Sequence, residues 1–277
     1  MKILVTGAAG YIGKHVVAAA LEFGHKVIAS DIDCSTIEPG AKTVEVDIFS
    51  NDKKIYQKLG SPDVIIHMAW KHGFVHNSTA HMDELSNHVK FLRNCVSMGC
   101  GHVAVMGSMH EVGYWEGSID ENTPCNPLSQ YGIAKDALRR SMLLSQEEHE
   151  FIFQWLRAYY IYGDDLKGNS VFSKIAQAVK DGKKEFPFTS GKNKYDFIHV
   201  NDLAKQIVAA STQDKVNGII NVCSGKPISL AEQVECYIKE NNFDIKLKYG
   251  AFPDRQYDSP GVWGDSTKIK DILSDKF

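Results

Sequence analysis

Short, nearly continuous apolar stretches rich in β-branched residues recur along the N-terminal part of the chain. They are KILVTG (2–7), KVIASD (26–31), KTVEVD (42–47), DVIIHMA (63–69), HVAVMG (102–107) and FIFQWLRA (151–158). Most lack the strict alternation of a half-exposed strand, and instead suit strands covered by helices on both faces of a parallel sheet. Between them, apolar spacing predicts helices over roughly 11–23, 51–59, 82–98 and 129–147. This βαβα alternation predicts an α/β fold with a Rossmann-like, doubly wound parallel sheet.

The rhythm changes beyond residue 160. GDDLKGNS and TSGKNKYD are polar loops flanking a helix near 170–182, and IINVCS (219–224) reads as a late strand returning to the sheet. SLAE (229–232) has the Ser-x-x-Glu form of a capping box and predicts a helix start. KLKYG, an irregular segment and a last helix after Asp265 complete the tail. The expected organisation is a nucleotide-binding domain over 1–163, rejoined by 196–224. A smaller α/β substrate domain is expected from 164–195 and 225–277.

Composition narrows the function classes. The 277 residues carry a net charge of -3, which gives no electrostatic reason to expect nucleic acid or an anionic membrane as partner. The opening MKILVTGAAG breaks at Gly7 before an export-signal core forms, and no apolar run is long enough to span a bilayer. The six cysteines form no CxxC pair, which fits a reducing cytoplasm and gives zinc no support. A cytoplasmic enzyme of small molecules is the expectation.

Chemistry enters at TGAAGYIG (6–13), where Gly7, Gly10 and Gly13 lie between the first strand and the first helix. Glycines there permit a tight turn and close backbone approach to a pyrophosphate at a helix N-terminus. Asp31 ends the second strand, where an acid binds a ribose diol and repels a 2′-phosphate. No Lys or Arg follows it closely, so NAD is favoured over NADP. Asp47, ending the third strand, is either a partner for the adenine amino group or a solvated acid. Further on, SQYGIAKDALRR (129–140) places Tyr131 and Lys135 one turn apart on a helix. A phenol near its ordinary pKa of about 10 is a poor acid/base at neutrality, and a nearby ammonium together with an oxidised nicotinamide moves it toward a useful range.

Taken in order, TGAAGYIG, Asp31, Asp47, HMA (67–69), Tyr131-x-x-x-Lys135, LRAYYIYG (156–163), DFIHVNDLA (196–204) and RQYDSPGVWGDSTK (255–268) resemble the extended short-chain dehydrogenase/reductase family of nucleotide-sugar epimerases, dehydratases and ketoreductases. The resemblance covers nearly the whole chain. It implies NAD held by Gly7, Gly10, Tyr11, Ile12, Gly13, Asp31, Asp47, Ile48, Met68, Ala69, Trp70 and Lys135, and a nucleotide-diphosphate sugar as substrate. It also implies a homodimer through a four-helix bundle built from the helices near 82–98 and 129–147. Tyr131 would be the acid/base, Lys135 would lower its pKa and hold the nicotinamide ribose, and Arg255 would pair with the substrate diphosphate. Three positions depart from the family pattern. Tyr160 stands where Asn is usual, Tyr195 where Arg is usual, and Trp70 replaces a small residue, either packing on the nicotinamide or filling the cleft.

The segment VMGSMHEVGYW (105–115) decides the reaction. Aligned on Val112 without a gap, the family hydroxyl falls on Met109, whereas one inserted residue puts it on Ser108, the preferred reading. The gap-free register also lays His110-Glu111 over the acid/base pair of 4,6-dehydratases. In the other register both residues contact the sugar, with Tyr160. Reduction of an NDP-4-keto-6-deoxyhexose asks only for Ser108, Tyr131 and Lys135, and is placed first. A 4-epimerase comes second, a 4,6-dehydratase third, and a catalytically silent dinucleotide sensor stands as the non-enzymatic alternative. His72, His76, His81 and His88 read as a polar loop near the substrate rather than a metal site.

Overall fold

A computed structural model describes residues 1–163, 170–254 and 258–275. The chain runs β1 (Lys2–Thr6), α1 (Tyr11–Glu22), β2 (Lys26–Asp31), β3 (Lys42–Glu45), α2 (Ile55–Lys58), β4 (Val64–His67), α3 (Ala80–Asp83) and α4 (Leu85–Ser97). It continues through β5 (His102–Ser108), β6 (Gly117–Ile119), α5 (Gln130–Ser145), β7 (Ile152–Ala158), β8 (Tyr160–Tyr162), α6 (Val171–Lys180), β9 (Glu185–Pro187) and β10 (Lys194–His199). It ends with α7 (Val200–Ser211), β11 (Gly218–Val222), β12 (Pro227–Ser229), α8 (Leu230–Glu240), β13 (Lys246–Lys248), β14 (Gly261–Gly264) and α9 (Thr267–Ser274).

Seven strands form one sheet in the order β11-β7-β5-β4-β1-β2-β3, and every neighbouring pair is parallel. Both faces are covered, which is why β4 and β5 are buried at every residue. On one face α1, α7 and α9 bury Val16, Ala20, Leu203, Ile207, Ile269 and Ile272. On the other, α2, α4 and α5 bury Ile55, Phe91, Leu92, Leu138 and Met142. A second sheet, β12-β10-β14-β6 with β8 paired to β10, lies over a separate core that includes Phe172, Phe197, Val234 and Val262.

The differences from expectation have local causes. The helix expected over 51–59 shortens to α2, because Asn51 adopts φ 57° and the Asp52 carboxylate accepts from the Lys54 amide at 2.8 Å. The helix expected over 82–98 begins at Ala80 and breaks at Glu84 into α3 and α4. The strands β6, β8, β9, β12 and β14 have three or four residues each, too few to show alternation in sequence. The last helix does not serve the smaller unit, as its position in 225–277 suggested. Ile269 and Ile272, one turn apart, bury it against the large sheet's core. α8 opens with the Ser229–Glu232 capping box that SLAE predicts.

Candidate active site

The parallel sheet sends the ends of β1, β2, β4 and β5 to one edge, the edge where ligands bind in this architecture. β1 stops at Thr6, and Gly7 turns the chain at φ +67°. A Cβ on Gly7 would lie 2.7 Å from the Ala69 backbone, and one on Gly13 would lie 2.0 Å from the Gly7 carbonyl. Only glycine fits at either place. The chain then enters α1 with Gly10 as N-cap and Tyr11 and Ile12 in the first turn, with no acidic side chain there to oppose an anion. Asp31 closes β2, accepting from the Ala9 amide at 3.0 Å and the Ile32 amide at 2.8 Å. Two bonds leave a carboxylate with capacity for a diol. Asp47 is exposed and accepts from the Phe49 amide, with Ile48 buried beside it. The Met68 and Ala69 amides donate to the Thr6 hydroxyl, which ties the end of β4 to the end of β1.

The second half of the site grows from the end of β5. Ser108 is the last residue of that strand and the N-cap of a 3-10 turn, Met109–Glu111, where its hydroxyl accepts from the His110 amide at 3.3 Å. Met109 is buried in the smaller unit's core. Ser108, not Met109, thus stands at the strand end facing α5. α5 begins at Gln130 with Ser129 as N-cap, so Tyr131 and Lys135 project from its first two turns. Gly132 allows the approach to the 3-10 turn, since a Cβ there would lie 2.3 Å from the His110 carbonyl. The Ser108 side chain lies near enough to the Tyr131 phenol to lower its pKa. Lys135, 3% exposed, donates from Nζ to the Met106 carbonyl at 2.7 Å. Its ammonium also lies 3.6 Å from the centre of the Trp70 ring and 5.7 Å from that of Tyr131.

Electrostatics differ from the sequence expectation. Burial pushes Tyr131 up to about 12, against a lowering by the Ser108 side chain and with a further rise from the Glu111 carboxylate. Burial also pushes Lys135 down to about 7, partly offset by Glu111. The chain's own groups thus hold Tyr131 as a neutral phenol, the form that donates a proton, rather than lowering it.

Histidines form the wall facing this pair. The His76 ring is nearly parallel to that of Tyr131 at 5.4 Å, and His110 lies 4.3 Å from His76 and 6.0 Å from Tyr131. The Tyr131 amide donates to the His76 carbonyl at 2.9 Å, pinning the 70–79 loop to α5. Burial, then His76, lowers His110 to about 4, so near neutrality it is an uncharged imidazole. Sequence reading took His72, His76, His81 and His88 as a polar loop near the substrate. His76 and His81 lie in the β4–α4 connection, at the sheet edge where ligands bind, whereas His88 is buried on α4 against His67, the last residue of β4, which pattern reading did not assign.

Glu111 must be corrected. It is fully buried, its Oε1 accepts from the Ser108 amide and the Trp155 indole, each at 2.6 Å, and its Oε2 faces Arg157 at 3.5 Å and Arg139 at 3.7 Å. Neither oxygen is left to contact a sugar or abstract a proton, so Glu111 anchors the turn that carries Ser108. Cys125 and Asp136 converge with Glu111, but Arg139 and Arg157 already reach this cluster and supply its positive charge. Tyr160 stands on β8 against Tyr195, ring centres 4.3 Å apart, in the smaller unit's aromatic cluster. The two unusual tyrosines thus pack on each other. Arg255 lies outside the described residues.

The chain belongs to the NAD dependent epimerase/dehydratase family, whose profile matches residues 3–223, and NAD is its cofactor. It is 44% identical over 270 residues to the dTDP-6-deoxy-L-talose 4-dehydrogenase (NAD(+)) of Aggregatibacter actinomycetemcomitans, covering 95% of this chain and 99% of that protein. A putative UDP-glucose 4-epimerase of Methanocaldococcus jannaschii is 29% identical, over 93% of this chain and 86% of that one. In fold it is similar to a UDP-N-acetylglucosamine 4-epimerase from Methanobrevibacter ruminantium M1, with TM-score 0.84 and 21% identity over 98% and 91% of the two chains. The glycine cradle and the Asp31 carboxylate fit the dinucleotide. No helix among the described residues is long and apolar enough to cross a membrane.

Proposed function

We propose that the protein is an NAD(H)-dependent nucleotide-sugar oxidoreductase that reduces the 4-keto group of an NDP-4-keto-6-deoxyhexose. The observation that carries the reading is the Ser108–Tyr131 hydroxyl pair beside a buried Lys135, with Glu111 withdrawn from the cleft. Such a site has a phenol to donate a proton and a hydroxyl to polarise a carbonyl, and Glu111, the carboxylate beside Ser108, is not free to remove a C5 proton. That asymmetry favours simple reduction over elimination. The relative from Aggregatibacter supports the same half-reaction, because a 4-dehydrogenase run in reverse is a 4-ketoreductase.

When bound, NADH supplies hydride to C4. Ser108 donates a hydrogen bond to the carbonyl oxygen as negative charge develops there. Tyr131, held protonated, transfers its phenolic proton to that oxygen, so ketone and donor become alcohol and phenolate. Lys135, fixed by the Met106 carbonyl, places a positive charge beside the phenolate as it forms. His110 and His76, neighbours of the phenol ring, line the approach as uncharged surfaces. The Gly7–Gly13 turn and Asp31 would hold the pyrophosphate and adenosine ribose, with Met68, Ala69 and Trp70 bordering the nicotinamide side.

A 4-epimerase employs the same hydroxyl, phenol and ammonium, and differs in regenerating its cofactor within each turnover. The test is NADH oxidation against a panel of NDP-4-keto-6-deoxyhexoses. One equivalent of NADH consumed per sugar supports the reductase. Turnover of an NDP-hexose to its 4-epimer without net NADH loss would replace it.

A further inference from the structure

Trp70 occupies a position where a small residue is expected, and it touches both members of the proton-handling pair. The Lys135 ammonium sits 3.6 Å from its ring centre and the Tyr131 ring meets it edge-on at 5.9 Å. A cation over an indole is most strongly attracted when desolvated, as Lys135 is. The ring is itself immobilised. Its indole N–H donates to His81 Nδ1 at 3.0 Å, and His81 Nε2 donates to the Val75 carbonyl at 2.9 Å, which fixes the tautomer. His88 stacks on the indole at 4.4 Å and 20°. Behind His88 runs a directional chain. The Thr6 hydroxyl accepts from the Met68 and Ala69 amides, so its proton goes to His67 Nδ1 at 2.8 Å, and His67 Nε2–H then donates to His88 Nδ1 at 2.9 Å.

We propose that Trp70 is a positioning residue for Lys135: its indole face, clamped by His81 and His88, seats the ammonium beside Tyr131. The Met106 carbonyl and the ring fix two directions of the ammonium, which leaves its third hydrogen oriented for a ligand hydroxyl. The Thr6–His67–His88 chain ties the seat to the residue preceding the dinucleotide turn, so cofactor loop and lysine share one support. This inference rests on the assignment of Tyr131 and Lys135 above.

The titratable groups facing Nζ are Tyr131 on the same helix, Glu111 on the 3-10 turn, His67 on β4 and His88 on α4. Burial holds His67 and His88 neutral, down to about 3 and about 2, keeps Tyr131 protonated, and brings Lys135 down to about 7.

The test begins on unliganded protein, with tryptophan fluorescence followed across pH 5 to 9. A transition near neutrality is expected in the wild type and is expected to vanish in both Lys135→Met and Trp70→Phe. Persistence of that transition in Trp70→Phe would overturn the proposal whether or not any sugar is turned over. With an active substrate, Trp70→Leu should lower kcat at least tenfold with KM within about twofold. It should also move the basic limb of the kcat profile down by about one pH unit, because losing the π face disfavours the ammonium. Trp70→Phe should recover most of kcat and shift the limb less. An unmoved limb in both variants would reduce Trp70 to packing. If Trp70→Leu does not fold, the limb of Trp70→Phe decides.

Discussion

Tyr131 and Glu111 lie on either side of Ser108, and their environments give them opposite duties. Tyr131 is raised by burial and keeps a hydroxyl partner, so it is poised to donate. Tyr131→Phe should lower kcat by roughly 10²–10⁴-fold while NAD affinity, read by fluorescence titration, changes little. Retained turnover would remove Tyr131 from the mechanism. Glu111 shares its oxygens among a backbone amide, an indole and two guanidiniums. Removing one partner from such a network leaves buried charge unpaired, so Glu111→Ala should cost about 3–5 kcal/mol of stability in denaturant melts. An unchanged melting curve with selective loss of activity would instead return Glu111 to the chemistry.

The pH dependence also belongs to single residues. The proposed reduction would use protonated Tyr131, which persists to about pH 12, and charged Lys135, which is lost as pH rises through about 7. The rate of the chemical step in reduction should therefore fall above neutrality with a single-proton slope. A profile flat to pH 9 would show that the ammonium is not required.

At the scale of elements, β5, the 3-10 turn and α5 form the unit that assembles the site. Gly132→Ala would force the helix away from the His110 carbonyl, and overpacking of this kind costs about 1–3 kcal/mol. Activity should fall further than stability, because Ser108 and Tyr131 face each other across that same contact. Behind this unit, β4 and α4 carry His67 and His88, held neutral by burial. Their folded-state pKa values lie below the unfolded value, so the unfolded chain binds more protons as pH falls below about 6.5. Stability should then drop with acidity by up to about 1.4 kcal/mol per pH unit for each histidine. Replacing His88 with Leu should reduce that slope by one proton, as urea melts at pH 4.5 to 6.5 would show.

The elements also show what was readable in advance. The parallel strands and the glycine turn were legible because buried runs and Gly7-x-x-Gly10-x-x-Gly13 are local patterns. Tyr131 and Lys135 were legible for the same reason, being one turn apart on one helix. Glu111 was not, because Trp155, Arg157 and Arg139 reach it from β7 and α5, far along the chain. A clue was nonetheless present. Ser108-Met109-His110-Glu111 has the Ser-x-x-Glu spacing that marks a capping box, as it does at 229–232, and a Glu committed to backbone is not free for catalysis. The raised Tyr131 escaped because burial, which overrides the nearby lysine, is a property of the packed cleft.

In the whole molecule, the large parallel sheet brings the ends of β1, β2, β4 and β5 to one edge, and the smaller sheet carries a separate core rich in aromatic residues. α4 and α5 lie together on one face of the large sheet, and α5 exposes Leu143 and Leu144. We expect this face to pair with a second copy, so Leu144→Glu should convert a dimer to a monomer in sedimentation. A wild type that sediments as a monomer would remove that expectation.

The central claim, reduction at C4, is tested most directly by isotope transfer. With NADH deuterated at the transferring position and an NDP-4-keto-6-deoxyhexose, the account predicts one deuterium at C4 of the product sugar for each NADH oxidised. Transfer should slow by roughly the same 10²–10⁴-fold in Tyr131→Phe. No deuterium transfer to that sugar, with an NDP-hexose supplied in its place converted to its 4-epimer or losing water, would contradict it.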